Sequence, residues 1–214
     1  ISFAAGAGSN VNDASFTSYA TTSLEAGSSI NVSGASAGFF IQGGQLVLSM
    51  NDATLNTSGN TAQQNTISLG LGSVIWTQNS GTDSGADVQL IASEVHTKVP
   101  SEVQMTGAFI VSQTNGSIRG GNVNVTADRV TMEQGSGIFP GAGGAGAAGN
   151  VSIQGTKDAG GVATSVTLLG GSMIANSTFG SGTSGEISIK ANSLTLDGFS
   201  STLKSTTNGS GPNG

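Results

Sequence analysis

One five-residue phrase recurs along this chain. Gly121-Asn122-Val123-Asn124-Val125 is echoed by Gly149-Asn150-Val151-Ser152-Ile153 and by Gly185-Glu186-Ile187-Ser188-Ile189, with GADVQL at 85–90 a looser copy. Apolar and polar residues alternate in each copy, which is the period of a strand with one buried face. No comparable apolar period of 3.6 residues occurs, and a glycine every few residues opposes helix.

The spacing of these phrases constrains the fold more than their wording. After Val123 a second apolar run starts at Val130, 7 residues on. A third starts at Ile138, 8 further, and the next copy opens at Val151 after 13 more. From Val151 the steps are 15 to Val166, 8 to Ile174 and 13 to Ile187; from Val88 they are 15 to Val103, 7 to Ile110 and 13 to Val123. Phe39, Leu46, Thr54 and Ile67 stand 7, 8 and 13 apart and read as another turn. Ile67, Ile75 and Val88 then give only 8 and 13, as if one strand were missing or the phase had slipped there. One such turn cannot bury its inward residues alone, but stacked turns create a continuous core. The pattern predicts an all-β, single-stranded parallel β-helix (a β-solenoid) with about three short strands per turn. Parallel crossovers are right-handed in nearly all cases, so the helix is expected to be right-handed.

This grammar assigns the rest of the chain. Val123, Val125, Val130, Met132 and Ile138 are expected to point inward, and Asn124, Thr126 and Thr131 outward. The long steps push out two loops on one side, 93–102 and 155–165, two turns or roughly 10 Å apart. A third loop, PGAGGAGAAG at 140–149, lies at another corner and carries no chemistry of its own. Residues 1–30 are read as a leading turn or cap and 31–214 as β-helix repeats. The closing NGSGPNG resembles the lead-in to another turn, and the first residue is Ile1 rather than Met. The first is expected of a fragment of a longer solenoid or of a unit that continues end to end, and the second of a chain with a segment upstream.

Composition narrows the partners. Charged residues are 8% of the chain, against about 25% in ordinary globular proteins. The surface must therefore be Ser, Thr, Asn and Gly, which suits an extracellular protein. There is no cysteine, which removes disulfides, thiolate metal sites and cysteine nucleophiles. Net charge is −6, and the six basic residues are scattered, so no nucleic-acid footprint forms. No apolar stretch approaches the roughly 18 residues of a membrane span, and no signal peptide is visible.

SGASAGFFIQGGQLVLSMNDATLNTSGN (33–60), GADVQLIASE (85–94), GGNVNVTADRVTMEQGSGI (120–138) and STFGSGTSGEISIKANSLTLDGFSSTL (177–203) carry a family likeness. They resemble filamentous-haemagglutinin-type repeat proteins, large exoproteins of Gram-negative bacteria and cyanobacteria. The likeness covers most of the chain after about residue 30. It implies a right-handed β-helix, two-partner secretion through an outer-membrane barrel, and a role in adhesion.

Catalytic and ligand-binding patterns are sparse. His96 is the sole histidine and lies in the first insertion with Glu94, Lys98 and Glu102; the segment reads as a solvated loop, with a ligand-contact loop as the other option, and as the most chemically varied segment it is the first choice for a binding surface. Glu133 and Asp197 share a register two turns apart, roughly 10 Å, near the spacing of inverting glycosidase carboxylates. Two outward acids at one corner are far more often solvated surface. Asp87 and Glu186 share another register three turns apart, too far to act together. Metal and phosphate motifs are absent, so no cofactor is expected and no catalytic, metal or cofactor residue is assigned. Trp76 reads as a bulky corner or core residue, with a sugar-stacking platform on an outer sheet as the other option. The Asn-x-Ser/Thr triplets at Asn31, Asn56 and Asn176 are what this composition yields by chance.

The expected protein is a non-enzymatic extracellular solenoid, the shaft of a bacterial surface adhesin or fibre. Its partners would be a host or cell-surface glycan or protein receptor, or other copies associating end to end or laterally. A self-assembling filament subunit and a glycan-binding or glycan-cleaving β-helix are the alternatives. The register itself is testable. Ile153→Asp is expected to cost more than about 4 kcal/mol, because it drives a charge into a dry core, whereas Ser152→Asp stays within about 0.5 kcal/mol. Urea unfolding of the two variants checks this, and equal tolerance would mean that inward and outward are misassigned.

Overall fold

The computed structural model describes residues 100–156 and 161–211 without interruption. Before residue 100 it describes the strand backbones, with side chains at a few positions. Every regular element among the described residues is a strand. Three parallel sheets form three walls. Wall 1 stacks β6 (Asp52–Asn56), β9 (Asp87–Ile91), β12 (Val123–Thr126), β15 (Val151–Gln154) and β18 (Ile187–Ile189). Wall 2 stacks β2 (Thr21–Leu24), β7 (Thr66–Leu69), β10 (Glu102–Thr106), β13 (Arg129–Glu133), β16 (Ser165–Leu169) and β19 (Leu194–Asp197). Wall 3 stacks β3 (Ser29–Gly34), β8 (Val74–Asn79), β11 (Phe109–Thr114), β14 (Gly137–Ala142), β17 (Met173–Thr178) and β20 (Thr202–Thr207). The chain visits the walls in the order 1, 2, 3 and then repeats. It is a parallel β-helix with three strands per coil.

The phrases lie in register. Val88, Val123, Val151 and Ile187 form one column of wall 1, and Leu90, Val125, Ile153 and Ile189 the next. Ile75, Ile110, Ile138, Ile174 and Leu203 form the matching column of wall 3. Val123, Val125, Val130, Met132 and Ile138 are all buried, as their alternation predicts. Burying each such aliphatic side chain stabilises by about 1.5–3 kcal/mol. At β18, β19 and β20 the same columns are only half-buried or exposed, and Ile187, Ile189, Leu194 and Leu203 line an open concavity of about 370 Å³.

The upstream phase differs from the sequence expectation. Phe39, Leu46 and Thr54 do not open three walls of one coil. β4 (Phe40–Gln42) and β5 (Gln45–Val47) pair antiparallel, and β1 (Ser15–Phe16) joins β5 in the same small sheet. The dipeptide Gly43-Gly44 between them is a hairpin signal, which apolar spacing alone overlooks. The next coil opens at Ala53, which faces Val88 in the register. Ala53, Ile67 and Ile75 then make a complete coil, so no strand is missing; Ala53 is simply too small to stand out as a wall residue. β2 and β3 already belong to walls 2 and 3, so the solenoid's rungs begin before residue 31.

Two corners are built by different chemistry. Between walls 2 and 3 the chain turns through left-handed pairs, Gln134 (φ 55°) with Gly135 (φ 74°), and Gly170 (φ 59°) with Gly171 (φ 81°). A serine then locks each turn by donating its hydroxyl back to the last strand residue. Ser136 reaches the Glu133 carbonyl at 2.6 Å, Ser172 that of Leu169 at 2.7 Å, and Ser201 that of Asp197 at 2.7 Å.

Between walls 3 and 1 the loops themselves stack. The Gly143 N–H donates to the Thr114 carbonyl (2.8 Å), Ala148 to Thr183 (2.9 Å) and Asn208 to Thr178 (2.7 Å), so this side behaves as a fourth hydrogen-bonded wall. It leaves no room for side chains: a Cβ on Gly144 would meet the Gly116 carbonyl, and one on Gly180 the Gly144 carbonyl. The loop expected at 140–149 begins only at Gly143, because residues 140–142 complete β14, and it is a packing surface in which glycine sets the approach of successive coils. Gly144→Ala is expected to cost about 1–3 kcal/mol by forcing the coils apart. Ala145→Ser, next along and exposed, is expected to stay within about 0.5 kcal/mol. Chemical denaturation of both variants tests the assignment.

Candidate functional site

The polar residue opening each wall-1 phrase has a structural task. The Asp87 carboxylate accepts the Asn122 backbone N–H at 2.6 Å, the Asn122 carbonyl oxygen (Oδ1) accepts that of Asn150 at 2.9 Å, and the Asn150 Oδ1 accepts that of Glu186 at 2.9 Å. Each side chain caps the start of the next coil's strand. Asp87 and Glu186 do share a register, as their spacing indicates, with two asparagines carrying the column between them.

Other described acids also bond locally or between coils. Glu133 accepts the Thr106 hydroxyl at 3.1 Å, and Asp197 accepts the Gly198 N–H at 2.7 Å within its own turn. Leu169 occupies the register position beside Asp197 on the coil before it. Sequence spacing overlooked Asp128, a buried carboxylate at the corner between walls 1 and 2. It accepts the Thr156 hydroxyl at 3.0 Å, while its main-chain carbonyl accepts the Thr164 N–H at 2.7 Å. Asp128 thereby ties down both ends of the second insertion. Among the described residues no three His, Asp or Glu gather in a way that would hold a metal ion.

His96, Glu94 and Lys98 lie outside the described residues, as do 157–160 of the second insertion. Asn176 is fully buried, and neither its amide nitrogen nor its oxygen has a hydrogen-bond partner. Trp76 occupies a wall-3 strand at the register position of Val111.

The walls differ on their outer faces. Wall 1 presents Asn124, Ser152 and Ser188 in one column, and wall 2 presents Gln104, Thr131, Thr167 and Thr195. Wall 3 instead presents Phe109, Val111, Phe139, Met173 and Ala175, all partly exposed. The Phe109 and Phe139 rings lie 6.2 Å apart at 22°. The Phe139 ring occupies the space that a side chain at Gly137 would fill. The sequence carried a signal for this face that alternation does not capture: Val74-Ile75-Trp76, Phe109-Ile110-Val111 and Met173-Ile174-Ala175 are continuous apolar runs. Such runs belong to parallel strands apolar on both faces. This outer face of wall 3 is the candidate site, a surface suited to contact rather than to acid–base or metal chemistry.

No protein-family model, curated protein or solved structure matches this chain.

The capping column predicts a selective effect. Asn150→Ala is expected to cost about 1 kcal/mol by stranding the Glu186 N–H. Asn150→Asp, which keeps an acceptor as Asp87 does, is expected to stay close to the parent. Urea midpoints of the two variants decide whether the acceptor or the side-chain volume matters.

Proposed function

We propose that this chain is a non-enzymatic extracellular β-solenoid of the filamentous-haemagglutinin type, forming the shaft of a bacterial surface adhesin or fibre. The observation that carries this reading is that in-register strands join successive described coils along three walls, with two residue pairs missing between β14 and β17 on wall 3. Three in-register walls, the Asp87–Asn122–Asn150–Glu186 caps and the stacked glycine loops each join neighbouring coils. Such an assembly resists bending and stretching along its axis, which suits a rod that holds contact surfaces away from a cell. Its polar residues act mainly as caps and corner locks, so the acids support the coil rather than a reaction. Stability rests on stacked aliphatic columns and backbone hydrogen bonds, which need little charge. Contacts of modest strength repeated along a rod gain by multivalency.

Antibody labelling of the producing cells tests the reading. The epitope is expected on intact cells or in the medium, and filaments or rods carrying it are expected by electron microscopy. Labelling that appears only after permeabilisation would sink the extracellular shaft.

A further inference from the structure

We infer that the outer face of wall 3 is a stacking platform for a neutral glycan chain lying along the rod axis. The inference rests on the extracellular reading above and names the contact surface and its ligand.

The coil's stability comes from its inward columns, and among the described side chains the outward positions of walls 1 and 2 are polar or charged except Leu169. Wall 3 nonetheless places Phe109 and Val111, then Phe139, then Met173 and Ala175, on successive rungs of its outer side. A parallel strand that is apolar on both faces is one whose second face is covered in use.

Size decides between occupants. The described strip is two columns wide and spans the rungs of β11 to β17. With rungs about 4.8 Å apart and alternate residues about 6.6 Å apart, it covers on the order of 200 Å². A stable protein interface takes about 800 Å² from each partner. The strip is too small for a second copy or a folded protein, but its shape matches a narrow linear ligand.

Charge and geometry then select the ligand. Phe109, Val111, Phe139, Met173 and Ala175 are uncharged, and Lys204, on the last rung, is the first charge along the column. An anionic polymer would find no cation on β11, β14 or β17 and only Lys204 beyond them. The two rings stack within 22° of parallel, and their exposed parts give this face an aromatic patch for flat apolar groups. The C–H face of a β-linked pyranose is such a group. Gln113 and Ser177, outward along the same strands and at least partly exposed, supply hydrogen-bonding groups for ring hydroxyls at the margin. One pyranose unit is close in length to one rung, so a chain along the axis keeps step with the coils.

The test uses the full chain with microcrystalline cellulose, chitin and a soluble mixed-linkage β-glucan as probes. Retention on at least one is expected, persisting in high salt, and Phe109→Thr and Phe139→Thr are expected to weaken it at least tenfold while circular dichroism and the melting temperature stay near the parent's. Should Phe139→Thr fail to fold, Ala175→Glu, which adds an outward charge on the next rung, is expected to give the same loss. The inference is overturned if none of the three probes retains the chain, if salt abolishes retention, or if the substitutions leave it unchanged. It is equally overturned if sedimentation shows that they dissolve a dimer of the chain, since a second copy would then cover the strip. None of these outcomes bears on the surface labelling, so the platform and the shaft can fail separately.

Discussion

Like stacked on like, one rung apart, is the constraint on which the rest of this molecule depends. Parallel in-register strands put each residue about 4.8 Å from its counterpart on the coils above and below. Aliphatic columns gain from this arrangement and charged ones lose, because like charges directly opposite each other destabilise a sheet. The scarcity of charge in the composition follows. Where charges occur, the register mostly separates or pairs them: Glu102 faces Arg129, Glu133 faces Thr106, and Asp87 leads a column continued by two asparagines. Asp52 facing Asp87 is the exception.

That constraint also explains what could be read from the sequence. The wall positions from Val88 to Ile187 were legible because each must resemble its neighbour one coil away, so the sequence repeats itself where the structure does. Reading failed where the repeat is interrupted by another grammar. The β4–β5 hairpin is antiparallel and obeys turn chemistry, and Ala53 fills a wall position with the smallest apolar side chain. The capping role of Asp87, Asn122 and Asn150 was visible only as a shared phrase, since its hydrogen bonds run between residues 28–36 positions apart. The outer face of wall 3 was legible in principle from its unbroken apolar runs, but a search for alternation passes over them.

Wall 3 also holds the place where the columns are broken. Pro140 sits within a central strand and has no N–H to give. The pairs Phe139 with Ala175 and Pro140 with Asn176 are missing between the intact pairs on either side. Asn176, inward at this same rung, lacks a side-chain partner as well. Backbone and side-chain bonding therefore lapse together between β14 and β17. Walls 1 and 2 remain continuous across this level, through β12–β15 and β13–β16.

The two unlike corners make the cross-section unequal in what it tolerates. From wall 1 to wall 2 the step between wall positions changes from 7 to 15 residues without disturbing the register on either side. From wall 3 to wall 1, a single methyl group on Gly144 would strike the coil beneath. A lineage that lengthens such a rod by copying coils can elaborate it on one edge only. Its variable loops would line up along a single ridge, giving an otherwise repetitive shaft a front and a back.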